Sequence, residues 1–245
     1  MNRILAVLLL VLAVTTVPSV GQQTHQSDQL PAAGGNLTLT FLGHGSVMIS
    51  QAGKIIYVDP VSRYAEFAQM PKADLILITH EHGDHLDSVA IERVRKEATV
   101  ILLTQSCAPF VRGGPVLRNG DTRTISGVGI EAVPAYNLVH MVRKGVPFHP
   151  KGFGNGYVVS IGGLRIYIAG DTENIPEMSN LGTIDCAFLP MNLPYTMTPE
   201  MVAEAAKRIK PRILYPYHFG NTDTGKLVEL LKDVSNIEVR IRNMK

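Results

Sequence analysis

The most informative stretch of the chain, residues 79–87, reads Thr-His-Glu-His-Gly-Asp-His-Leu-Asp. It places four side chains that can bind a metal within six positions, namely His80, His82, Asp84 and His85. The preceding residues 74–78 are apolar and rich in β-branched side chains, which predicts a buried strand, and residues 88–97 have helix-forming composition. The four donors therefore lie on a loop at the carboxyl end of a strand, where open α/β sheets usually place their chemistry.

Length and composition predict one globular domain with a single good-sized core. The 245 residues are 45% hydrophobic and 18% charged, and the formal net charge is only +2. Because the chain has no basic stripe, we expect a small-molecule substrate and no nucleic-acid partner. We assign the domain to residues 37–245, since no second linker and no long-period repeat follows residue 36. The oligomeric state stays open.

The N-terminal part of the chain has a different composition. One positive charge, the apolar run 4–14 and a small-residue ending are typical of a secretory signal peptide, which we assign to residues 1–21. The apolar run is shorter than the roughly 20 residues that span a bilayer, although an uncleaved anchor stays an alternative. We therefore expect an exported protein, periplasmic or secreted, with no stable membrane span after cleavage. Residues 22–36 are polar, with Pro31 and Gly34-Gly35, and predict a flexible linker.

Strand signals dominate the domain, and helices are predicted near its middle and its end. Alternating or apolar runs bounded by turn residues predict strands at 37–41, 46–50, 54–58, 75–79, 99–103, 122–125, 129–134, 156–161, 164–169, 184–189, 212–215 and 238–241. Helices are predicted at 88–97, from Pro199 onward with Thr198 as N-cap, and at 225–233. This order suggests two facing sheets with helices on their outer faces, although the pattern alone leaves several α/β layouts open.

Two further polar side chains follow apolar strands in the same way as the first cluster. The predicted strand 164–169 runs into Gly170-Asp171-Thr172, and the predicted strand 212–215 runs into Pro216-Tyr217-His218. Zinc and similar cations prefer imidazole and carboxylate donors on rigid supports, and one loop rarely supplies all of them. Asp171 and His218 are therefore candidate metal ligands beside the four donors of residues 79–87.

This set of residues resembles the metallo-β-lactamase superfamily. The spacing of His80, His82, Asp84 and His85 matches its HxHxDH signature, Asp171 matches its bridging aspartate, and His218 matches its last histidine. The resemblance covers nearly everything after residue 36 and implies an α/β fold, the four-layer αββα sandwich, with a two-metal site. Leu42-Gly43-His44-Gly45-Ser46 and Val58-Asp59-Pro60 resemble the subgroup of ascorbate-phosphate lactonase-like and N-acyl phosphatidylethanolamine phospholipase D-like proteins.

One position departs from the family pattern. Family members carry a further histidine after a strand, often in a Pro-Ala-x-His context, but here Pro134-Ala135-Tyr136 is followed by Asn137. The resemblance therefore implies two unequal metal positions. The first has His80, His82 and the bridging Asp171, whereas the second is complete, with Asp84, His85, Asp171 and His218. Asn137, His140 or His149 could replace the missing donor of the first position.

The resemblance implies a metal-dependent hydrolase that holds one or two ions, with zinc expected and manganese or iron as alternatives. A metal-bound hydroxide would attack an ester, lactone, phosphodiester or amide, and Asp84 would hold a metal and orient this nucleophile. His44 is expected to touch substrate at the rim of the pocket, and Asp59 either orients a ligand histidine or serves as a turn residue. The alternatives are a metal-binding member with little or no turnover, a β-lactamase, and a redox di-iron protein. The di-iron alternative is disfavoured because such members carry a glutamate where His82 stands.

Overall fold

Two β-sheets form the centre of the molecule. The computed structural model describes residues 25–245, so the signal peptide predicted over residues 1–21 lies outside the described residues. In chain order the strands are β1 (Gln26–Leu30), β2 (Leu37–Gly43), β3 (Ser46–Gln51), β4 (Lys54–Val58), β5 (Leu75–Leu77), β6 (Val100–Leu102), β7 (Thr122–Ile125), β8 (Val128–Ala135), β9 (Met141–Arg143), β10 (Val146–Pro147), β11 (Gly154–Ile161), β12 (Leu164–Ile168), β13 (Cys186–Pro190), β14 (Ile213–Tyr217) and β15 (Glu238–Val239). The helices are α1 (Ser88–Val94), α2 (Pro199–Ile209) and α3 (Thr224–Leu231), and short 3₁₀ segments lie at Phe67–Gln69 and Pro176–Asn180.

Each sheet combines antiparallel and parallel strand pairs. The first sheet has the strand order β1-β2-β3-β4-β5-β6, with antiparallel pairs as far as β4 and parallel pairs from β4 to β6. The second has the order β15-β14-β13-β12-β11-β8-β7, with parallel pairs from β15 to β12 and antiparallel pairs beyond. Strands β9 and β10 form a separate hairpin. Consequently β2, β4 and β5 point the same way in the first sheet, and β8, β12 and β14 point the same way in the second.

The main core lies between the two sheets. In β2 the side chains of Leu37, Leu39 and Phe41 are buried, and the residues between them are partly exposed, as a side-chain period of two requires. They belong to one large apolar cluster that also contains the inward-facing residues of the second sheet and the buried faces of α2 and α3. A second cluster joins the outer face of the first sheet to α1. The predicted four-layer αββα sandwich is confirmed.

The local signals that predicted α2 are present in its first turn. The Thr198 side chain accepts a hydrogen bond from the backbone N–H of Met201 at 3.2 Å, and Pro199 occupies the first helical position, where a missing N–H costs nothing. The buried residues Val202, Ala206 and Ile209 recur at helical spacing along one face. These residues belong to the same apolar cluster as the buried side chains of the second sheet.

The flexible linker predicted over residues 22–36 is wrong for residues 26–30, which form strand β1. Strand β1 pairs antiparallel with β2 along its whole length. Its polar composition is accommodated because the Asp28 carboxylate accepts hydrogen bonds from the Tyr215 hydroxyl at 2.7 Å and from Arg242 at 2.8 and 2.9 Å, with Arg240 at 3.1 Å. An edge strand stabilised by ion pairs lacks the apolar alternation by which a strand is recognised in a sequence.

The hairpin of β9 and β10 was not predicted either. All three side chains of β9 are exposed, so no buried face imposes an alternating pattern on its sequence. This hairpin follows β8 and precedes β11, and therefore lies close to the end of β8 where Asn137 stands. Among residues 25–245, no helix has the length and apolar character needed to cross a membrane.

Replacing Asp28 by asparagine should lower the free energy of unfolding by about 1–2 kcal/mol, because the amide loses the charge that binds two arginines. Burial by itself raises the pKa of Asp28, but its bonds to Tyr215, Arg242 and Arg240 bring that pKa below its ordinary value. The stabilisation is therefore complete above the unfolded pKa of about 3.9 and is lost as the pH falls through the lower folded pKa. Urea unfolding of the wild type and of Asp28→Asn at pH 7 and at lower pH measures this stabilisation. Asp233→Asn, at an exposed position, is the control, and equal stabilities of the two variants at pH 7 would contradict the anchoring role.

Candidate metal centre

The loop that carries the first four donors is fixed at both ends. At its start, the Thr79 carbonyl accepts a hydrogen bond from the backbone N–H of Asn155 in the second sheet at 2.9 Å. At its end, the Asp87 carboxylate caps α1 by accepting from the N–H groups of Val89 and Ala90 at 2.8 and 3.2 Å. Between these points the His85 N–H donates to the His82 carbonyl at 2.9 Å. The donors are therefore presented by a short, braced turn.

A buried carboxylate, Asp171, lies at the centre of the donor cluster. Its oxygens lie 3.3 Å from His85 Nε2, 3.4 Å from His218 Nε2, 3.3 Å from His149 Nε2 and 3.9 Å from His80 Nε2. Burial by itself raises the pKa of Asp171, but the surrounding imidazoles, His218 and His85 foremost, hold it well below its ordinary value. Asp171 is therefore an anion that joins the donors of both predicted metal positions.

The Nε2 atoms of His80 and His85 face Asp171, because the Nδ1 atom of each ring is fixed by a hydrogen bond on the opposite side of the ring. His85 Nδ1 lies 2.8 Å from Asp59 Oδ2, and His80 Nδ1 lies 3.0 Å from Thr79 Oγ1, whose hydroxyl donates to Asp59 at 2.6 Å. The Asp59 carboxylate can only accept a hydrogen bond, and the Thr79 hydroxyl can only accept one more because its own proton is donated to Asp59. The rings of His85 and His80 therefore both donate from Nδ1. Asp59 thus orients two histidines, directly and through Thr79, which is the first of the two roles that its sequence allowed.

The carboxylates of Asp171 and Asp59 together create an electrostatic field that attracts positive charge. Burial by itself lowers the pKa of His85, yet Asp171 and Asp59 raise it well above its ordinary value. For His80 the balance is reversed, since burial and the neighbouring His85 lower its pKa well below the ordinary value. A cation held among these rings would satisfy the carboxylates without requiring every imidazole to carry a proton.

Several of the converging atoms are buried and have no hydrogen-bond partner within residues 25–245, namely His80 Nε2, His85 Nε2, His218 Nε2 and Asp171 Oδ1. Unpaired buried polar atoms cost free energy and in native structures mark a functional site or a bound group. The donor atoms fall into groups whose members lie within 4.8 Å of one another. Imidazole and carboxylate are the ligands that zinc accepts alongside thiolate, so the residues present fit a metal centre.

The second metal position brings together the donors that the sequence predicted for it. Asp84, His85 and His218 form one group with His44, and His218 Nε2 lies 3.6 Å from Asp84 Oδ2. The Asp84 side chain is 38% exposed, so one side of this group is open to solvent. His44 Nε2 lies 3.2 Å from Asp84 Oδ2, and the His44 ring stacks on Tyr64 at 5.3 Å between centroids. The structure therefore gives His44 a contact with Asp84.

The donors predicted for the first metal position are joined by a histidine from a distant loop. His80, His82 and His149 form a second group of donors. His149 Nε2 lies 3.3 Å from His82 Nδ1 and 3.3 Å from Asp171 Oδ2. His149 is buried, whereas His82 is exposed at the mouth of the site. Of the three replacement donors considered from the sequence, His149 is the one that the fold brings to the centre.

The side chains of the other two candidates for the missing donor, Asn137 and His140, form hydrogen bonds to neighbouring residues. The Asn137 amide is fully used: Oδ1 accepts from N and Nδ1 of His149 at 2.9 and 2.7 Å, and Nδ2 donates to Glu173 Oε1 and to the Tyr195 carbonyl, both at 2.9 Å. His140 Nδ1 lies 2.7 Å from Glu173 Oε1, and His140 belongs to none of the donor groups of the described chain. Sequence spacing cannot show that these side chains already have other partners.

A cleft of about 300 Å³ opens over the donors. Its floor is formed by the donor residues His82, Asp84, His149, Asp171 and His218, and its walls by Phe148, Asn192 and Tyr195. The rings of Phe148 and Tyr195 meet edge to face with 5.2 Å between centroids. His44 is not part of this lining. The cleft thus offers a polar floor and a partly aromatic wall to a small molecule.

Three residues of the site adopt a left-handed backbone: His44 at φ 51°, Asp59 at φ 45° and His218 at φ 48°. Positive φ is uncommon for residues other than glycine and tends to occur at functional sites, where the surrounding structure stabilises it. Here the His218 N–H donates to the His44 carbonyl at 3.1 Å, and the Ser46 hydroxyl donates to the Asp59 carbonyl at 2.6 Å. The backbone therefore locks these side chains in place.

Two functional residues were missed from the sequence. Thr79 begins the motif and connects His80 with Asp59, and Glu173 is a buried carboxylate two residues after Asp171. A signal was present for Glu173, because an acidic residue so close to a candidate ligand in Gly170-Asp171-Thr172-Glu173 is unusual in an apolar context. For Thr79 the hydroxyl directly before a ligand histidine was the available signal.

Comparison with known proteins gives matches over most of the chain. A family model described as beta-lactamase superfamily domain matches residues 38–218. A UPF0173 metal-dependent hydrolase of Pelotomaculum thermopropionicum is 31% identical over 220 residues, which cover 84% of this chain and 96% of that protein. A UPF0173 metal-dependent hydrolase of Thermococcus kodakarensis is 36% identical over 192 residues, which cover 73% and 83% of the two chains.

Among solved structures, a protein of Parabacteroides distasonis that is itself proposed to be a metal-dependent hydrolase is 50% identical to this chain. It superimposes with a TM-score of 0.86 and covers 91% of this chain and 100% of its own.

Replacing Gly45 by alanine should weaken zinc binding at the second position by at least about tenfold. A Cβ at Gly45 would lie 2.7 Å from His85 Cε1 and 2.9 Å from His85 Nδ1, so the ring, whose Nδ1 contacts Asp59, must shift. Zinc titration against a chelator measures the change. Gly83→Ala is the control, because a Cβ there meets no atom within 4 Å. Equal zinc affinities in the two variants would show that zinc binding does not depend on the position of the His85 ring.

Proposed function

The chain belongs to the beta-lactamase superfamily and, within it, to the UPF0173 metal-dependent hydrolases, and we propose that it works as a two-zinc hydrolase. The observation that carries the proposal is the buried Asp171 carboxylate, which has imidazole nitrogens of four histidines within 3.9 Å. The candidate substrates are small esters, lactones, phosphodiesters and amides that fit the cleft.

The two proposed zinc positions share Asp171. His80 and His82 belong to the first, and Asp84, His85 and His218 to the second. Imidazole and carboxylate donors with an open side are typical of catalytic zinc sites, although iron(II) and manganese also accept such ligands. The thiols of Cys107 and Cys186 are buried outside the donor groups of the described residues, so the proposed ligands are nitrogen and oxygen only.

A divalent cation held by these residues would supply activated water at neutral pH and would polarise the attacked oxygen. The residues of the chain orient the reacting groups. Asp84 lies at the cleft, where its carboxylate can accept a hydrogen bond from an incoming water. Phe148 and Tyr195 form the wall against which the substrate rests. Both cysteines are buried, which supports water as the nucleophile.

His44 is proposed to position Asp84. Its Nε2 can donate to Asp84 Oδ2, and its ring contacts the rings of Tyr64 and His218, with centroid distances of 5.3 and 3.7 Å. Since the Asp84 side chain is partly exposed, such a contact restricts its rotation. The substrate contact inferred from the sequence is the alternative, and the two roles differ in which kinetic constant they affect.

We also propose that the protein is exported, on the basis of the charge, apolar run and small residues of residues 1–21. Mass spectrometry of the mature N-terminus tests this proposal. A chain that begins at Gln22 would support it, and a chain that retains residues 1–21 in the cytosol would contradict it.

Replacing Asp84 by alanine should lower kcat/KM by at least about 100-fold, because the change removes a proposed ligand at the edge of the cleft. A panel of ester, lactone, phosphodiester and amide substrates measures turnover with the zinc-loaded protein. Asp233→Ala, at an exposed carboxylate on the surface, is the control and should keep the wild-type rate. Chelation of the metal should abolish turnover and added zinc should restore it. Turnover that survives both Asp84→Ala and chelation would refute the hydrolase proposal.

Replacing His44 by alanine should lower kcat by about tenfold and leave KM within about twofold, with two zinc ions still bound. This pattern is expected if His44 acts through Asp84. A raised KM with unchanged kcat would instead assign His44 to substrate binding. Steady-state kinetics on the best substrate of the panel, together with metal analysis of the same samples, separates the two outcomes.

A further inference from the structure

We propose that His149 completes the first metal position and that Asn137 and Glu173 are positioning residues that hold it there. In this arrangement a histidine at the far end of a hairpin replaces the donor that is missing at residue 137, and the asparagine at that position orients the replacement. The inference rests on the proposed function only in requiring that a metal is bound.

The Asn137 amide has one defined orientation. The His149 backbone N–H can only donate, and it meets Asn137 Oδ1 at 2.9 Å. The Tyr195 carbonyl can only accept, and it meets Asn137 Nδ2 at 2.9 Å. A flipped amide would break both contacts. Asn137 Oδ1 is therefore an acceptor that faces the ring of His149.

This orientation fixes the tautomer of His149. Its Nδ1 lies 2.7 Å from Asn137 Oδ1 and must carry the proton that joins them. The lone pair then lies on Nε2, which is 3.3 Å from both Asp171 Oδ2 and His82 Nδ1. The same arrangement holds for His85, whose Nδ1 donates to Asp59 behind it. His149 therefore has the two features of a ligand histidine, a fixed Nδ1–H and an Nε2 that faces the other donors.

Glu173 fixes Asn137 in turn. Its buried carboxylate accepts the Asn137 Nδ2–H at 2.9 Å and the backbone N–H groups of Leu138, Val139 and His140 at 2.8, 2.8 and 2.7 Å. Burial by itself raises the pKa of Glu173, but these bonds bring it below its ordinary value. The Glu173 carboxylate therefore fixes both the Asn137 side-chain amide and the turn of residues 138–140 that follows it.

The two ends of the hairpin are also joined through the backbone. The Asn137 N–H donates to the His149 carbonyl at 2.9 Å, while the His149 N–H donates to the Asn137 side chain. The chain thus leaves the end of β8 at Asn137, passes through β9 and β10, and returns beside its starting point. A ligand at the return end can occupy the place that a side chain at residue 137 would otherwise fill.

Zinc competition against a chelator of known affinity tests the proposal on the full chain. The wild type should hold two zinc ions per chain. His149→Ala and His149→Gln should weaken the first ion by at least about 100-fold, and Asn137→Ala and Glu173→Gln by about 10–100-fold, with the second ion unchanged. His140→Ala is the matched control, because His140 directly precedes β9 and contacts Glu173 but belongs to none of the donor groups of residues 25–245. It should keep both affinities within about twofold.

A second readout separates positioning from a purely structural role. Nitrogen-15 NMR of the metal-free protein should show His149 as the Nδ1–H tautomer in the wild type and as a mixture of tautomers in Asn137→Ala. Thermal unfolding of each metal-free variant checks that it is folded. His149→Gln retains a polar side chain and serves if the alanine variant does not fold.

The outcomes for the two proposals differ. A wild type that holds no zinc would contradict the proposed metal centre itself. A wild type with two ions, together with folded His149 variants that also hold both ions at wild-type affinity, would overturn only the assignment of His149. Loss of the first ion in His149→Gln but not in Asn137→Ala would confirm the ligand and overturn the positioning role.

Discussion

The burial of the Asp171 carboxylate is the constraint on which the rest of the centre depends. A charged carboxylate is costly inside a protein unless opposite charge or hydrogen-bond donors surround it. Around Asp171 the chain places the Nε2 atoms of four histidines, and several of these atoms lack any other partner within residues 25–245. Imidazoles alone cannot satisfy the carboxylate and one another, because neighbouring protonated rings repel. A cation between them resolves both problems, which is why the geometry favours a metal centre over a polar core.

The topology explains how distant residues reach this carboxylate. Strands β2, β4 and β5 share one direction in the first sheet, and β8, β12 and β14 share one direction in the second. The residues that follow these strands, from His44 and Asp59 to Asp171 and His218, therefore meet at one edge of the sandwich. The left-handed backbone at His44, Asp59 and His218 adds a local bend that turns each side chain into the site. The packed sheets supply the rigidity that keeps these conformations in place.

The sequence predicts the parts of this arrangement that depend on short-range pattern. The density of donors at residues 79–87 is a local feature of the sequence. So is a polar residue after an apolar strand, and Asp171 and His218 could therefore be proposed as metal ligands from the sequence. Strand β1 could not be predicted, since its residues lack the local pattern of a strand and Asp28 contacts arginines more than 200 positions away. The role of Asn137 was out of reach for the same reason. Whether it binds a metal or orients His149 depends on Glu173 and Tyr195, which sequence spacing does not connect to it.

A crystal structure of the zinc-loaded protein, with anomalous data collected at the zinc edge, would show directly whether Asp171 lies between two metal ions. We expect two anomalous peaks, one on each side of Asp171, each with oxygen or nitrogen ligands at about 2.0–2.2 Å. His149 Nε2 should bind the ion that His80 and His82 hold. Ions that avoid the Asp171 carboxylate, or a loaded protein in which Asp171 is paired only with protonated histidines, would contradict this arrangement.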